Sequence, residues 1–184
     1  MSILIVKLVG ILLGADLLTG FVHWWEDAYG NPDWKFLGNS IVKPNLEHHQ
    51  LPRKFLKDTF IQRVGISVIA GICIAFTLWC FSLYTWEIGL LLALAAMGNE
   101  VHAMAHRTDK ENGKLVVMLQ KIGLLQSRKM HGYHHKSPFN INYCILTNYL
   151  NPTLSWLKFW DRLEYILAKL NVKTTRKLPS RNGY

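Results

Sequence analysis

Eight histidines stand in a chain of 184 residues, and their intervals are the first sign of chemistry. His102-x-x-x-His106 places two imidazoles one turn apart on one helix face, and His131-x-x-His134-His135 repeats the arrangement with a third ring alongside. Both spacings chelate. His48-His49 sits between Pro44 and Pro52, where neighbouring rings serve one centre only if the backbone bends, or else divide between two ions. His23 stands alone. Polarity by itself would keep histidines out of hydrocarbon, but it does not account for this spacing.

The donor type narrows the metal. Imidazole suits zinc, copper, iron and nickel, whereas magnesium and calcium take oxygen. A structural zinc site closes with four ligands. His23, His48, His49, His102, His106, His131, His134 and His135 therefore fit two ions better than one. A membrane pair of irons held mainly by nitrogen can activate dioxygen against an unactivated C–H bond. Glu47, Glu100 and Asp161 lie near the clusters in sequence and are expected to orient the imidazole N–H groups or to add a ligand.

These side chains need a scaffold, and hydropathy supplies it. Half of the residues are hydrophobic and only 18% are charged, which excludes a disordered or fibrous chain. The run from Ile3 to Trp24 is long enough to cross a bilayer, with Lys7 and Asp16 its only charges. Lys7 inside the run and the lack of a small-x-small cleavage site argue against a cleaved signal peptide. Val64 to Tyr84 carries no charge, and a third run begins at Trp86 and continues as helix-forming but polar sequence through His106. The expected fold is an all-α integral membrane protein, one domain over residues 1–184, with spans at about 3–25, 64–84 and 86–106. The segments 115–125 and 143–160 are apolar but short or proline-interrupted, so they read as interfacial or re-entrant, and a fourth crossing stays open.

Asp16, Gly20, His23 and Asp27 share one stripe of the first helix. An acid within a span is functional by default, so Asp16, with Asp27 on the same stripe, is expected to serve catalysis, and Asn99 is a third catalytic expectation; the bland alternative is that Asp16 packs against Lys7 or a hydroxyl on a partner helix. Gly10-x-x-x-Gly14 would allow close helix approach.

Basic residues decide the expected orientation. Of 21 Lys and Arg, one lies near the N-terminus, six between Glu26 and Arg63, fourteen from Arg107 onward, and none between Phe81 and Glu87. The positive-inside rule puts 26–63 and 107–184 in the cytosol as a histidine-rich helical cap. Attraction to anionic headgroups explains the net charge of +9 without nucleic acid, for which no motif is visible. Cys73, Cys80 and Cys144, an odd number with two in an apolar run, make neither a disulfide framework nor a thiolate metal site.

The sequence resembles the histidine-box lipid desaturases of the plasmanylethanolamine desaturase family, which includes a bacterial carotenoid-regulatory member and plastid phosphatidylglycerol palmitate desaturases. The likeness runs from Ala15-Asp-Leu-Leu-Thr-Gly-Phe-Val-His-Trp through Asp27-Ala-Tyr-Gly30, Pro44 to Pro52, Asn99-x-x-His-x-x-x-His106, His131-x-x-His-His-x-x-Pro138, Tyr143-Cys144, Asn151-Pro152 and Phe159-Trp160 to Leu163-Glu164. It implies an O2-dependent diiron enzyme that dehydrogenates a chain of an intact phospholipid. Electrons would come from a separate reductase and a carrier of cytochrome b5 or ferredoxin type. In the plasmalogen-forming members an alkyl ether becomes a vinyl ether. The resemblance supports all eight histidines as ligands, although no histidine directly precedes His48-His49 at box spacing.

Three other classes compete. A bis-histidine haem carrier needs its pairs deep between facing helices, whereas these sit at helix ends. A metal transporter needs midplane ligands, and only Asp16 qualifies. A hydroxylase shares the oxidant and the ligands and differs in substrate placement.

Overall fold

The structure, a computed structural model, describes residues 2–175. Residues 176–184, the end of the expected cap, lie outside the described residues. Within them the fold is helical with no strand, as expected, and three helices are long and apolar enough to cross a membrane.

Helix α1 (Ser2–Tyr29) rises toward the cap. After a π-helical turn at Gly38–Val42, α2 (Lys43–Gln50) opens with Pro44 in its first turn, where a missing N–H costs nothing. Helix α3 (Phe60–Cys80) descends, and α4 (Trp86–Ala96) and α5 (Gly98–His106) return to the cap as one interrupted span. Lys7 of α1 pairs with Glu87 of α4 at 2.7 Å, so the N-terminus and the 81–85 turn share the end away from the cap. The cap then continues through α6 (Asp109–Lys121), α7 (Arg128–His134), α8 (Leu150–Trp156) and α9 (Phe159–Lys169).

Local chemistry moves the boundaries. α3 starts four residues before its apolar run because Thr59 and Gln62 form a capping box, a motif worth about 1 kcal/mol. It stops at Cys80, ahead of Ser82, which takes a left-handed conformation with φ 57°. The segment 115–125 does not cross: α6 has 13 residues and breaks at Gly113, whose φ of 74° and ψ of 169° suit glycine alone. Of the small pair on α1, Gly14 meets Leu91 on α4, where a Cβ would lie 3.1 Å from Leu91 Cδ1, while Gly10 faces open space.

The decisive packing is between α1 and the non-helical segment 143–147, in which every residue is buried. A Cβ at Gly20 would lie 2.7 Å from Cys144 Sγ, so only glycine admits this approach. Irregular backbone at this depth must find its hydrogen bonds within the protein. Leu146 N and Thr147 N donate to Asp16 Oδ1 at 2.8 and 3.2 Å, and Thr147 Oγ1 donates to Asp16 Oδ2 at 2.5 Å. Cys144 is held on both sides by Asn151, and its carbonyl also accepts from Gln126. α9 closes the core, with Trp160 stacked on Trp24 at 5.6 Å and Trp24 Nε1 donating to Glu164.

Candidate metal centre

Four elements bring all eight histidines to the cap end of the spans. His23 and Asp27 lie near the C-terminus of α1, His48 and His49 on the last turn of α2, His102 and His106 on α5, and His131, His134 and His135 on and just after α7. They form two adjacent groups. His48, His102, His106, His131 and His135 make one; His23, Asp27, His49 and His134 make the other; within each, one donor atom per residue lies within 4.8 Å of all the others. The groups stand back to back, with the His49 and His135 rings 5.1 Å apart and the His23 and His102 rings 5.6 Å apart.

In the five-histidine group the Nε2 atoms converge. His102 to His131 is 2.8 Å, His131 to His135 2.9 Å, His135 to His48 3.0 Å and His102 to His106 3.3 Å. Five nitrogens gathered so closely cannot all be hydrogen-bonded to one another, because each neutral ring has one N–H and one lone pair. A cation resolves this: with metal–nitrogen bonds near 2.1 Å, adjacent ligands at right angles lie about 3 Å apart. Phe55 covers the group, its ring 4.7 Å from His48 and 5.2 Å from His102.

The second group shows which nitrogens are free. His23 Nδ1 donates to the carbonyl of Tyr143 at 3.2 Å and His134 Nδ1 to that of Ile141 at 2.8 Å. A carbonyl only accepts, so each Nδ1 carries the proton and each Nε2 presents a lone pair. Those two Nε2 atoms and Asp27 Oδ2 are buried without a hydrogen-bond partner. They lie 3.9 Å (His23) and 3.3 Å (His134) from that oxygen. Asp27 Oδ1 accepts from Asn45 Nδ2 at 2.5 Å and sits 2.9 Å from His49 Nε2. Two lone pairs and a carboxylate oxygen aimed at one buried point are a metal-binding arrangement, and the residues fit it.

Electrostatics agree outside the spans. Burial, with the nearby His106 imidazole next in importance, lowers the pKa of His48, His131 and His135, the last to about 2. These rings stay neutral at physiological pH, the form that binds metal.

Asp27 joins a candidate ligand group, whereas Asp16 does not. Asp16 is fully buried on the backbone of 146–147, and Lys7, one of its expected partners, pairs elsewhere; Thr147 supplies the hydroxyl. Asn99 Nδ2 donates to the Arg63 carbonyl. The carboxylates expected to orient imidazoles are engaged otherwise: Glu100 bridges Arg63 and Arg107, Glu47 pairs with Lys54, and Asp161 accepts from Asn140. For His23 and His134 the backbone carbonyls of Tyr143 and Ile141 do that work, which side-chain patterns do not reveal. Asn45 was missed as well; its signal was its place one turn before His49 on a proline-initiated helix.

A cavity of about 360 Å³ adjoins both groups, with His23, His48 and His102 in its wall. Glu26, Ser40, Asn45 and Asp58 line its histidine end, and Leu18, Ile66, Ala70, Ile74 and Leu92 line the part between the spans. Arg63 also faces it, but its nitrogens are taken by Glu100 and by the Asp58 carbonyl.

The lipid desaturase domain profile matches residues 12–178. The chain is similar to mouse plasmanylethanolamine desaturase 1, 30% identical over 92% of this chain and 68% of that protein. A probable fatty acid desaturase of Acanthamoeba polyphaga mimivirus is 30% identical over 89% of this chain and 84% of its own length. The plasmanylethanolamine desaturase of Myxococcus xanthus is 26% identical over 88% of this chain, which spans 60% of that relative. No solved structure matches the chain.

Proposed function

The chain belongs to the lipid desaturase family and is by that membership a membrane oxidoreductase; from this premise we propose that it converts the alkyl ether chain of a plasmanyl phospholipid, plasmanylethanolamine, to the vinyl ether of a plasmalogen. One observation carries the reading. Two donor groups, five nitrogens in one and three nitrogens with a carboxylate in the other, stand at the polar end of an otherwise apolar cavity. A lipid seated with its headgroup at that end brings the first carbons of its chain beside the histidines.

Overall, the reaction takes one –CH2–CH2– unit, O2, two electrons and two protons to one –CH=CH– unit and two waters. Two irons, held by the eight histidines with Asp27, would supply the dioxygen-activating chemistry. Everything else is placement. The carbonyls of Tyr143 and Ile141 fix the tautomers of His23 and His134, and Asn45 fixes Asp27. Phe55 covers the rings and limits water around them. Asp16 acts as a positioning residue, holding the segment whose carbonyls orient the ligands. Asn99, on the cavity wall one turn before His102, positions substrate.

The excess of Lys and Arg in the cap supports a cytosolic face for it, in the plasma or endoplasmic reticulum membrane. Electrons arrive there from a reductase through a carrier of cytochrome b5 or ferredoxin type.

A second reading, desaturation of an ester-linked acyl chain, is favoured by the mimivirus relative, as close in identity as the mouse one. Lipid mass spectrometry of a host expressing the chain and supplied with alkyl-ether lipids separates them. Acid-labile vinyl ethers are expected. Loss of two hydrogens from ester-linked chains would favour the second reading, and a gained hydroxyl would favour a hydroxylase.

A further inference from the structure

Helices α1 and α3 bound the cavity on opposite sides, yet they barely touch each other; both pack along α4 instead. At the floor α3 comes close to α4, where a Cβ at Gly71 would lie 3.8 Å from the Leu92 carbonyl oxygen. The outcome is a cleft open along its length rather than a sealed bundle. Its lips, Val22 on α1 and Ile66 on α3, are 49% and 48% exposed, continuous with the outward face that carries Ile69 and Phe76. The ten residue-to-residue steps from His102 down to Leu92 give it a depth of about 15 Å at the α-helical rise.

The lining is matched to hydrocarbon. Below the level of Arg63 and Asn99 the polar side chains of the lining are Thr19 and Ser67, and Thr19 is already bonded to the Asp16 carbonyl. On α3 the middle of the lining is small, with Ser67, Ala70 and Gly71 lying between Ile66 and Ile74. Bulk is therefore absent where the cleft must be widest. Water in such a groove would lack partners, and an apolar chain would not.

We propose that this cleft is a lateral portal: one hydrocarbon chain of a bilayer lipid slides in between α1 and α3, lies along α4 with its polar end at the histidines, and is admitted by the small side chain of Ala70. Substrate thus reaches the metal groups without leaving the membrane. The portal deepens the lipid desaturase reading and rests on it for the polar end of the chain, but it is tested separately.

Purified full-length protein in lipid nanodiscs would be exposed to an alkyl phospholipid carrying a diazirine midway along its chain, irradiated, and peptide-mapped. Label is expected on α1, α3 and α4 near Leu18, Ala70 and Leu92; label confined to α6–α9 would overturn the portal. In parallel, Ala70→Phe should lose at least tenfold in turnover of membrane lipid with iron content unchanged, while Ile69→Phe, on the outer face of the same helix, keeps wild-type turnover. Full activity in Ala70→Phe would also overturn it. Label in the cleft of a protein that desaturates no lipid would support the portal and sink the enzymatic reading, whereas activity with label elsewhere would do the reverse.

Discussion

His48 and His49 are consecutive on α2, yet their rings, 5.9 Å apart and tilted by 58°, belong to different ligand groups. Successive helical residues point about 100° apart, so a helix ending between two sites delivers one ligand to each. His134 and His135 repeat this at the end of α7. The two adjacent pairs thus tie the two candidate ligand groups together.

The wild-type protein should hold about two irons per chain. His48→Ala and His49→Ala should each lose mainly one, from different sites, giving distinct Mössbauer spectra of the iron left behind. Identical spectra in the two variants would contradict the division, and zinc or a single haem iron in the wild type would end the diiron proposal.

His102→Ala and His134→Ala, one from each group, should each abolish turnover while the protein still inserts into membranes. Retained activity in either would remove that residue from the ligand set.

Asp27 and Asn45 should behave as a unit. Asn45→Ala removes the amide that donates to Asp27 Oδ1 and should weaken metal binding by about 10- to 100-fold, the usual effect of losing a group that orients a ligand. Chelator competition monitored by iron release checks this; wild-type retention would mean that Asn45 only packs.

Asp16→Ala should destabilise by about 3 kcal/mol or more, since it strips two buried backbone N–H groups and a hydroxyl of their acceptor. Thermal unfolding in detergent reports the loss, and activity should fall with it. Asp16→Asn keeps one oxygen and should do less harm. An Asp16→Asn variant with wild-type stability but no activity would point instead to direct participation in the chemistry.

Chelator-treated protein should lose stability as pH falls below 6.5. His48, His131 and His135 have folded pKa values below their ordinary 6.5, so the unfolded chain binds more protons in that window and acid favours unfolding. Glu111 does not confound this: its Arg53 partner lowers it to about 2 from 4.5, so its contribution is complete above pH 4.5 and is lost only below. Melting temperature should therefore drop between pH 6.5 and 4.5. A rise over that range would contradict the assignment.

Much of this molecule was legible along the chain. Lengths of apolar sequence set the three spans, and helical spacing picked out His102 with His106 and His131 with His135, because a helix face repeats every three or four residues and needs no tertiary knowledge. Imidazole chemistry excluded the hard cations in the same local way.

What the residues touch across the fold was decided by the tertiary structure alone. Asp16 meets Thr147, 131 positions away, and His23 meets the Tyr143 carbonyl, 120 away. No periodicity encodes such pairs. Glu47, Glu100 and Asp161 looked like orienting groups because they were near in sequence, but strong cations or amides claimed them first. The orienting acceptors were main-chain carbonyls of a non-helical segment, which every residue possesses and no sequence pattern distinguishes. Which histidine serves which centre likewise depends on where helices end relative to one another, a matter of packing rather than of order along the chain.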